Sequence, residues 1–291
     1  MKKDVALVLS SGGARGFAHA GVIRALERYG FTITSVAGSS MGSLIGGLYA
    51  TGELPKLLDY VEDLDVLDVL KLTDFTVSSK GLVKGDKVIK KLKALIPDRN
   101  IEELEIPYCA IATDIESGEE KIFDSGKLYD AIRASISIPT VFQPAEIGGH
   151  FYVDGGVLNP IPINRVKRRR RDIVVAVNVA AMSERGAGAP EREEKEEDAT
   201  FSEQIRTLYE KIGNLIPRNR TDSIGFFNLV NKTINLMLNQ ISELTLAQDP
   251  PDILINIPED AFGVFDFYKA KEIIENGEAV AEKAIRAYLK K

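Results

Sequence analysis

The chain has few of the side chains on which most catalytic and metal sites depend. Its 291 residues include two histidines, one cysteine and no tryptophan. A single cysteine excludes an internal disulfide, and two histidines far apart in the sequence offer no ligand spacing, so we expect no metal and no other cofactor. The net charge of −6 and the lack of a recognisable binding module argue against nucleic acid as a partner.

Long apolar runs are also missing. No uninterrupted apolar stretch reaches the length of about 18 residues that a membrane span needs. The N-terminus leads directly into a predicted strand, which leaves no room for a signal peptide. With 44 % apolar residues the chain can form one large core, and we expect a cytoplasmic protein, with peripheral membrane contact as an alternative.

The most informative motif that is present is G-x-S-x-G at residues 38–42, between a strand-like apolar run and a helix-like run. A strand, a tight turn and a helix in this order hold the serine in a strained conformation, and Gly38 and Gly42 allow the close approach that the turn needs. Ser40 is therefore the candidate nucleophile. Taken alone, the motif is equally compatible with a turn that only packs tightly.

A second strand, loop and helix begins at the N-terminus. The apolar run at residues 5–9 precedes a glycine-rich loop at residues 10–16, whose uncovered amides suit a phosphate or the oxyanion of acyl transfer. The spacing of a dinucleotide fingerprint and the Gly-Lys-Ser/Thr of a Walker loop are both absent. In the helix that follows, we expect His19 to be a buried, hydrogen-bonded core residue, whereas His150 is expected at a turn or exposed.

A carboxylate is the candidate base, because neither histidine is well placed to activate a serine. Asp154 stands at the end of a predicted strand, and Gly155 and Gly156 after it would let the nucleophile come near. In isolation this triplet is also typical of an ordinary Asp-Gly turn. A dyad of Ser40 and Asp154 is the economical solution, and it requires a close hydrogen bond and partial desolvation of the aspartate.

The glycine loop, the G-x-S-x-G turn and the Asp-Gly-Gly triplet occur together in the order typical of bacterial patatin-like phospholipases. The chain resembles that family over about residues 4–180, including connecting segments at residues 112–118 and 134–144. The resemblance implies a serine acyl hydrolase without a catalytic histidine, acting on carboxylic esters of lipids as a phospholipase A or lysophospholipase does. It implies that Ser40 is the nucleophile and Asp154 its activating partner.

The resemblance also assigns the oxyanion hole to the amides of the glycine loop, at Gly12, Gly13, Ala14 and Arg15. Position 11 is serine where the family usually has glycine, and Ser11 would be strained if that position requires a positive φ. Arg15 has two interpretations. Its cation could hold a phospholipid headgroup at the mouth of the site, or it could pair with a carboxylate and brace the loop.

The alternation of strand and helix patterns predicts an α/β fold, with a mainly parallel central sheet in three layers and helices on both faces. Residues 1–182 are expected to form the catalytic core and residues 183–200 a mobile charged loop. Residues 201–248 form a helical appendage, and residues 249–291 a strand and helix that complete the core. Packing on the core is the favoured interpretation of the appendage's apolar stripes, with homo-oligomer formation and lipid contact as alternatives.

Two elements are candidates for peripheral membrane contact. One is the pair Phe226 and Phe227 near the start of the second appendage helix. The other is a basic run, predicted at the end of a short helix and otherwise a solvated face, which consists of Lys167, Arg168, Arg169, Arg170 and Arg171. Two rival functions stay open: an acyltransferase that uses the same acyl-enzyme, and a non-catalytic lipid-binding or regulatory module.

Overall fold

The structure of the protein is a computed structural model that describes residues 3–64, 85–139, 141–182 and 226–290. The strands are β1 Lys3–Leu9, β2 Phe31–Ser39, β3 Tyr108–Asp114, β4 Glu120–Phe123, β5 Ala145–Ile147, β6 His150–Asp154, β7 Ile173–Ala181 and β8 Ile253–Pro258. The helices are α1 Ala18–Arg28, α2 Met41–Ala50, α3 Leu54–Glu62, α4 Asp86–Leu95, α5 Leu128–Ser135, α6 Phe226–Gln248 and α7 Ala270–Leu289.

The eight strands form one sheet in the order β5-β6-β3-β2-β1-β7-β8, with β4 paired to β3. Strands β3, β2, β1, β7 and β8 run parallel to their neighbours, while β4, β5 and β6 are antiparallel additions around β3. The prediction of a mainly parallel central sheet is confirmed. Because the carboxyl ends of the parallel strands meet at one edge, the loops that follow β1, β2 and β7 lie together there.

Alternation along β1 shows how the two faces of the sheet are covered. Val5, Leu7 and Leu9 belong to a core shared with α1 to α5 and α7. Ala6 and Val8, which point to the opposite face, belong to a smaller core that includes residues of the 161–166 segment and is contacted by α6 through Leu246. Helices therefore flank both faces, although α6 covers its face only in part.

The C-terminal strand and helix are integral to this core. Helices α1 and α7 cross so closely that a Cβ on Gly21 would lie 2.0 Å from the carbonyl oxygen of Ile274, and one on Gly277 would lie 2.3 Å from that of Ala18. Only glycine fits at such a crossing. The spacing of Ile274, Ala281, Ile285 and Tyr288 predicts one apolar helix face. The first three are buried, and Tyr288 packs against the same core while partly exposed.

Helix α6 packs only part of its apolar stripe on the core. Leu229, Met237 and Leu244 are 53–61 % exposed, whereas Ile234, Leu238 and Ile241 are half-buried, because only one side of α6 lies against the described part of the fold. Neither α6 nor any other helix of the described ranges has the length and apolarity to cross a membrane. The predicted loop at 183–200, the first appendage helix, and the side chains of Phe226 and Phe227 lie outside the described residues.

The basic run Lys167–Arg171 has no helical residue: it is irregular up to position 169 and ends in a turn, so the predicted short helix is wrong. The carboxylate of Asp172 accepts the backbone N–H of Arg169 at 2.9 Å and the hydroxyl of Thr34 at 2.9 Å, which favours a turn before β7. The run precedes a parallel strand, so it lies at the amino edge of the sheet. Ser40 follows β2 at the carboxyl edge, at the opposite end of the strands.

Candidate active site

Ser40 stands at the turn between β2 and α2. Its φ of 54° and ψ of −125° make it the only non-glycine residue with positive φ in the described part of the chain. Such a conformation costs about 1–3 kcal/mol and persists only where the surroundings enforce it. Here they do: a Cβ on Gly38 would lie 2.4 Å from the carbonyl oxygen of Gly42, and a Cβ on Gly42 would lie 2.2 Å from that of Leu9.

The fold brings Asp154 against this serine. The Ser40 hydroxyl donates to Oδ2 of Asp154 at 2.5 Å, and the other carboxylate oxygen accepts the backbone N–H of Gly156 at 2.7 Å. Gly155 permits the approach, because a Cβ there would lie 2.1 Å from the carbonyl oxygen of Ile111 on β3. Ser40 and Asp154 are only 3 % and 5 % exposed, so the pair is largely shielded from water.

Burial raises the pKa of Asp154 to about 7, against the opposing effect of the hydrogen bonds from Ser40 and from the N–H of Gly156. A carboxylate at its ordinary pKa is a weak base, whereas one that titrates near neutrality is matched to proton transfer in that range. The desolvation that the sequence argument required is therefore present. The geometry allows Asp154 to accept the serine proton directly.

The C-terminal end of α5 holds both members of this pair. The hydroxyl of Ser135 accepts the backbone N–H of Ser40 at 2.9 Å, and the carbonyl oxygen of Ser137 accepts the backbone N–H of Asp154 at 3.0 Å. The sequence argument assigned no role to either residue. The available signal was that both fall in the connecting segment at 134–144, which already resembled the family.

The amides of the glycine loop differ in whether they already have a hydrogen-bond acceptor. The backbone N–H groups of Gly12 and Gly13 have no acceptor among the described residues. The N–H of Ala14, by contrast, donates to the carbonyl oxygen of Val264 at 2.8 Å. Ala14 is therefore engaged in packing the loop onto the segment after β8, and the expectation that its amide serves the oxyanion hole is corrected.

The structure shows the conformation of Ser11 and the contacts of Arg15 in the glycine loop. Ser11 is not at positive φ; the left-handed position is taken by Gly13, with a φ of 59°. Arg15 is buried, and its Nε and Nη1 donate to the carbonyl oxygens of Gly12 at 3.2 Å and Glu259 at 3.1 Å. The arginine thus braces the loop against the end of β8, and burial lowers its pKa in spite of the nearby Glu259 carboxylate.

Neither histidine hydrogen-bonds Ser40 or Asp154. His19 is fully buried, and its Nε2–H donates to the carbonyl oxygen of Ser10 at 2.8 Å, while Nδ1 has no partner in the described ranges. Burial lowers the pKa of His19 to about 4, so the imidazole is neutral and tethers the base of the glycine loop. His150 is exposed, as expected.

One cluster brings together potential metal ligands that are distant in the sequence. Ligand atoms of Asp114, Glu116 and His150 all lie within 4.8 Å of one another, so the spacing argument against a metal site overlooked what the fold assembles. Hydrogen bonds account for this arrangement. Nδ1 of His150 donates to Asp114 at 3.0 Å, and the N–H groups of Glu116 and Ser117 donate to the same carboxylate and lower its pKa.

Two pockets open beside Ser40. The first, which we call the acyl pocket, has an empty volume of about 920 Å³ and an almost entirely apolar lining from α2, α3 and α4, including Leu44, Leu57, Val61, Val88 and Leu92. The second, which we call the polar pocket, has an empty volume of about 710 Å³. Its walls include the glycine loop, Asp154 and one side of α6. Ser40 lines both pockets.

In comparisons with known proteins, the chain is similar to patatin-like phospholipases and to NTE family proteins. The family model for patatin-like phospholipase matches residues 7–166. An NTE family protein of Mycobacterium tuberculosis is 31 % identical, over 98 % of this chain and 92 % of that protein. Lysophospholipase NTE1 of Debaryomyces hansenii is 26 % identical, over 97 % of this chain but 18 % of its own length. Patatin-like phospholipase domain-containing protein 7 of Rattus norvegicus is 31 % identical, over 62 % of this chain and 14 % of its own length.

Proposed function

This chain belongs to the patatin-like phospholipase family, and from that premise we propose that it hydrolyses carboxylic esters of lipids through a dyad of Ser40 and Asp154. The observation that carries the proposal is the 2.5 Å hydrogen bond between a strained serine and a buried carboxylate. Gly12 and Gly13, whose amides have no acceptor among the described residues, line the same pocket as this pair.

The first step forms an acyl-enzyme. Oγ of Ser40 attacks the ester carbonyl carbon while its proton passes to Oδ2 of Asp154. The carbonyl oxygen becomes an oxyanion, and the N–H groups of Gly12 and Gly13 stabilise it. As the tetrahedral intermediate collapses, the bond to the alcohol oxygen breaks, and that oxygen leaves with the proton held by Asp154. The products of this step are the free alcohol and an ester between the acyl group and Ser40.

The second step releases the fatty acid. Asp154, again ionised, takes a proton from water as the water oxygen attacks the acyl-serine carbonyl carbon. Collapse of the second intermediate breaks the bond to Oγ, which recovers the proton from Asp154. The cycle consumes one water and leaves both side chains in their starting state, so no cofactor is needed.

The apolar lining of the acyl pocket favours a substrate that carries a lipid acyl chain. Ser40 and Met41 line it together with side chains of α3 and α4, most of them leucine and valine. Each methylene group that moves from water into such a pocket contributes about 0.8 kcal/mol. This fits a fatty acyl ester of the phospholipase A or lysophospholipase type better than a small polar ester.

A direct test compares Ser40→Ala with Ser39→Ala, a matched control that removes the neighbouring buried hydroxyl. We expect hydrolysis of a p-nitrophenyl fatty acyl ester to fall by at least about 10⁴-fold in Ser40→Ala, as when other serine hydrolases lose their nucleophile. Ser39→Ala is expected to stay within a few-fold of the wild type. Full activity in pure, folded Ser40→Ala protein contradicts the proposal, as does an inactive wild type that only binds lipid.

A further inference from the structure

The polar pocket has the composition of a subsite for the alcohol part of the ester. Five polar side chains outside the glycine loop and the dyad line it: Asn178, Asn235, Asn239, Ser242 and Glu259. Asn178 lies in the second half of β7, Glu259 directly follows β8, and the others come from α6. Because Ser40 lines both pockets and the acyl pocket is almost entirely apolar, this pocket is the one suited to the alcohol.

Asn178 lines this pocket with its side chain held in a fixed orientation. It is 8 % exposed, and its Oδ1 accepts the backbone N–H of Ala180 at 3.1 Å, which fixes which end of the amide is the donor. The pairing of β7 with β8 is irregular from Asn178 to Ala181. Its Nδ2 has no acceptor within the described ranges. An amide donor that lines the pocket on a mostly buried residue, and that has no partner in the described ranges, fits a hydroxyl or ester oxygen of the ligand.

The charges on the described lining do not favour an anion. Arg15 is the only cation among these residues, and it is buried against the carbonyl oxygens of Gly12 and Glu259. The carboxylate of Glu259 lies on the same wall, where its Oε2 accepts Nδ2 of Asn239 at 3.1 Å. With Asp154 as the third ionisable group, the described lining carries no net positive charge, whereas phosphate recognition normally uses unopposed arginine or lysine.

We propose that the polar pocket binds the alcohol part of the substrate and that Glu259 makes it select hydroxyl-bearing alcohols without a net negative charge. The inference rests on the proposed function, because it names the class of alcohol that the same acyl transfer releases. Glu259 is a specificity-determining residue in this account. It acts by repelling a headgroup of like charge while the asparagine side chains bond hydroxyl oxygens.

The test uses soluble octanoyl esters that share one acyl chain and differ in the alcohol: monooctanoylglycerol, octanoyl lysophosphatidylcholine and octanoyl lysophosphatidate. Octanoyl p-nitrophenyl ester is the reference, because its alcohol carries no headgroup. The variants are Glu259→Gln, which keeps the shape, and Glu272→Gln, a control that removes an exposed glutamate of α7 outside the pocket. The readout is the ratio of kcat/KM values at one pH and ionic strength.

We expect the wild type to favour monooctanoylglycerol over lysophosphatidate by about tenfold or more, the scale of one partly screened charge pair. The zwitterionic ester should stay close to the neutral one. Glu259→Gln should remove most of the preference. Glu272→Gln should keep the wild-type preference and stay within a few-fold of wild type on the p-nitrophenyl ester.

If the wild type hydrolyses the p-nitrophenyl ester, three results would overturn this inference alone. The first is that the wild type turns over lysophosphatidate as fast as monooctanoylglycerol or faster, and the second is that its kcat/KM for the zwitterionic ester matches that for lysophosphatidate. The third result is that Glu259→Gln and Glu272→Gln have the same ratio of kcat/KM values for monooctanoylglycerol and lysophosphatidate. Loss of p-nitrophenyl ester hydrolysis in the wild type would instead overturn the proposed function, and the inference with it.

Discussion

The acyl pocket and the polar pocket meet at Ser40 but are built in different ways. The acyl pocket is lined mainly by apolar side chains of α2, α3 and α4 that also belong to the main core, with further apolar side chains from the segment after α5 and from Phe17 and Phe267. The polar pocket is assembled from segments far apart in the chain: the glycine loop, the turn after Asp154, the ends of β7 and β8, and α6. The acyl pocket extends the core to Ser40, whereas the polar pocket depends on where separate segments converge.

Under the proposed function, the acyl pocket selects the acyl chain of the substrate and the polar pocket selects its alcohol. Apolar burial is non-directional, so the acyl pocket can accept related chains that fit its volume. The polar pocket acts through a few oriented groups, such as the Nδ2 of Asn178 and the carboxylate of Glu259, and these discriminate by charge and hydrogen bonding. Substitutions in one pocket should therefore leave selectivity in the other unchanged.

Among substitutions outside the dyad, the largest effect is expected at the turn that holds Ser40, the residue that lines both pockets. Gly42→Ala places a Cβ 2.2 Å from the carbonyl oxygen of Leu9, so the turn must move and Ser40 loses its alignment with Asp154 and both pockets. We expect kcat to fall by about 10²- to 10³-fold for every ester, with a lower melting temperature.

Gly118→Ala is the control for that variant. Gly118 has a φ of +71° but no atom within 4 Å of the added Cβ, so it tests backbone strain alone, away from the site. Activity of Gly118→Ala should stay close to wild type. A Gly42→Ala protein with full activity and stability would mean that the close packing of the turn is not what holds Ser40.

The burial of Asp154 should also affect how the stability of the protein depends on pH. The pKa of Asp154 is about 7 in the folded protein, above its ordinary value of 3.8, so the folded state binds the proton more tightly than the unfolded state does. The stability from this proton is fully present below about pH 4 and is lost as the pH rises through 7. Asp154→Asn avoids that loss.

Asp154→Asn should therefore be more stable than wild type at pH 8, by a few kcal/mol at most, and gain little near pH 4. Chemical denaturation at both pH values measures the difference. Equal effects of the substitution at the two pH values would show that Asp154 titrates normally and is not desolvated.

The smallest effect is expected from a substitution that changes only the acyl pocket. Val88 lines it on α4, and Val88→Phe fills part of its volume. We expect kcat/KM for a palmitoyl ester to fall about tenfold relative to a butyryl ester, since the longer chain loses apolar contacts. The ratio between neutral and anionic alcohols should not change. Equal losses on both chain lengths would place the acyl chain elsewhere.

Short-range patterns were enough to predict the sheet, the turn at Ser40 and the strand that ends at Asp154. Each of these depends on a few neighbouring residues, such as the glycines at 38 and 42, whose backbone requirements are local. The C-terminal strand and helix were also predictable, because the spacing of Ile274, Ala281 and Ile285 places them on one helix face.

Contacts between distant segments were not predictable in this way. Nothing in the local pattern of α5 says that Ser135 and Ser137 hold the two ends of the dyad. The leucines of the acyl pocket have the spacing of ordinary core residues, so the pocket is invisible until α3 and α4 are placed. The same limit explains the exposed face of α6, because an apolar stripe shows which side is apolar and not what covers it.

The central claim is that Asp154 activates Ser40 without a histidine. Intact-mass labelling with a fluorophosphonate tests it most directly, because this reagent forms a covalent adduct with activated serines. We expect one adduct on the wild type, none on Ser40→Ala, sharply slower labelling of Asp154→Asn, and a wild-type rate that rises with pH through about 7. An adduct that persists in Ser40→Ala, or a folded wild type that does not react at any pH, would contradict the account.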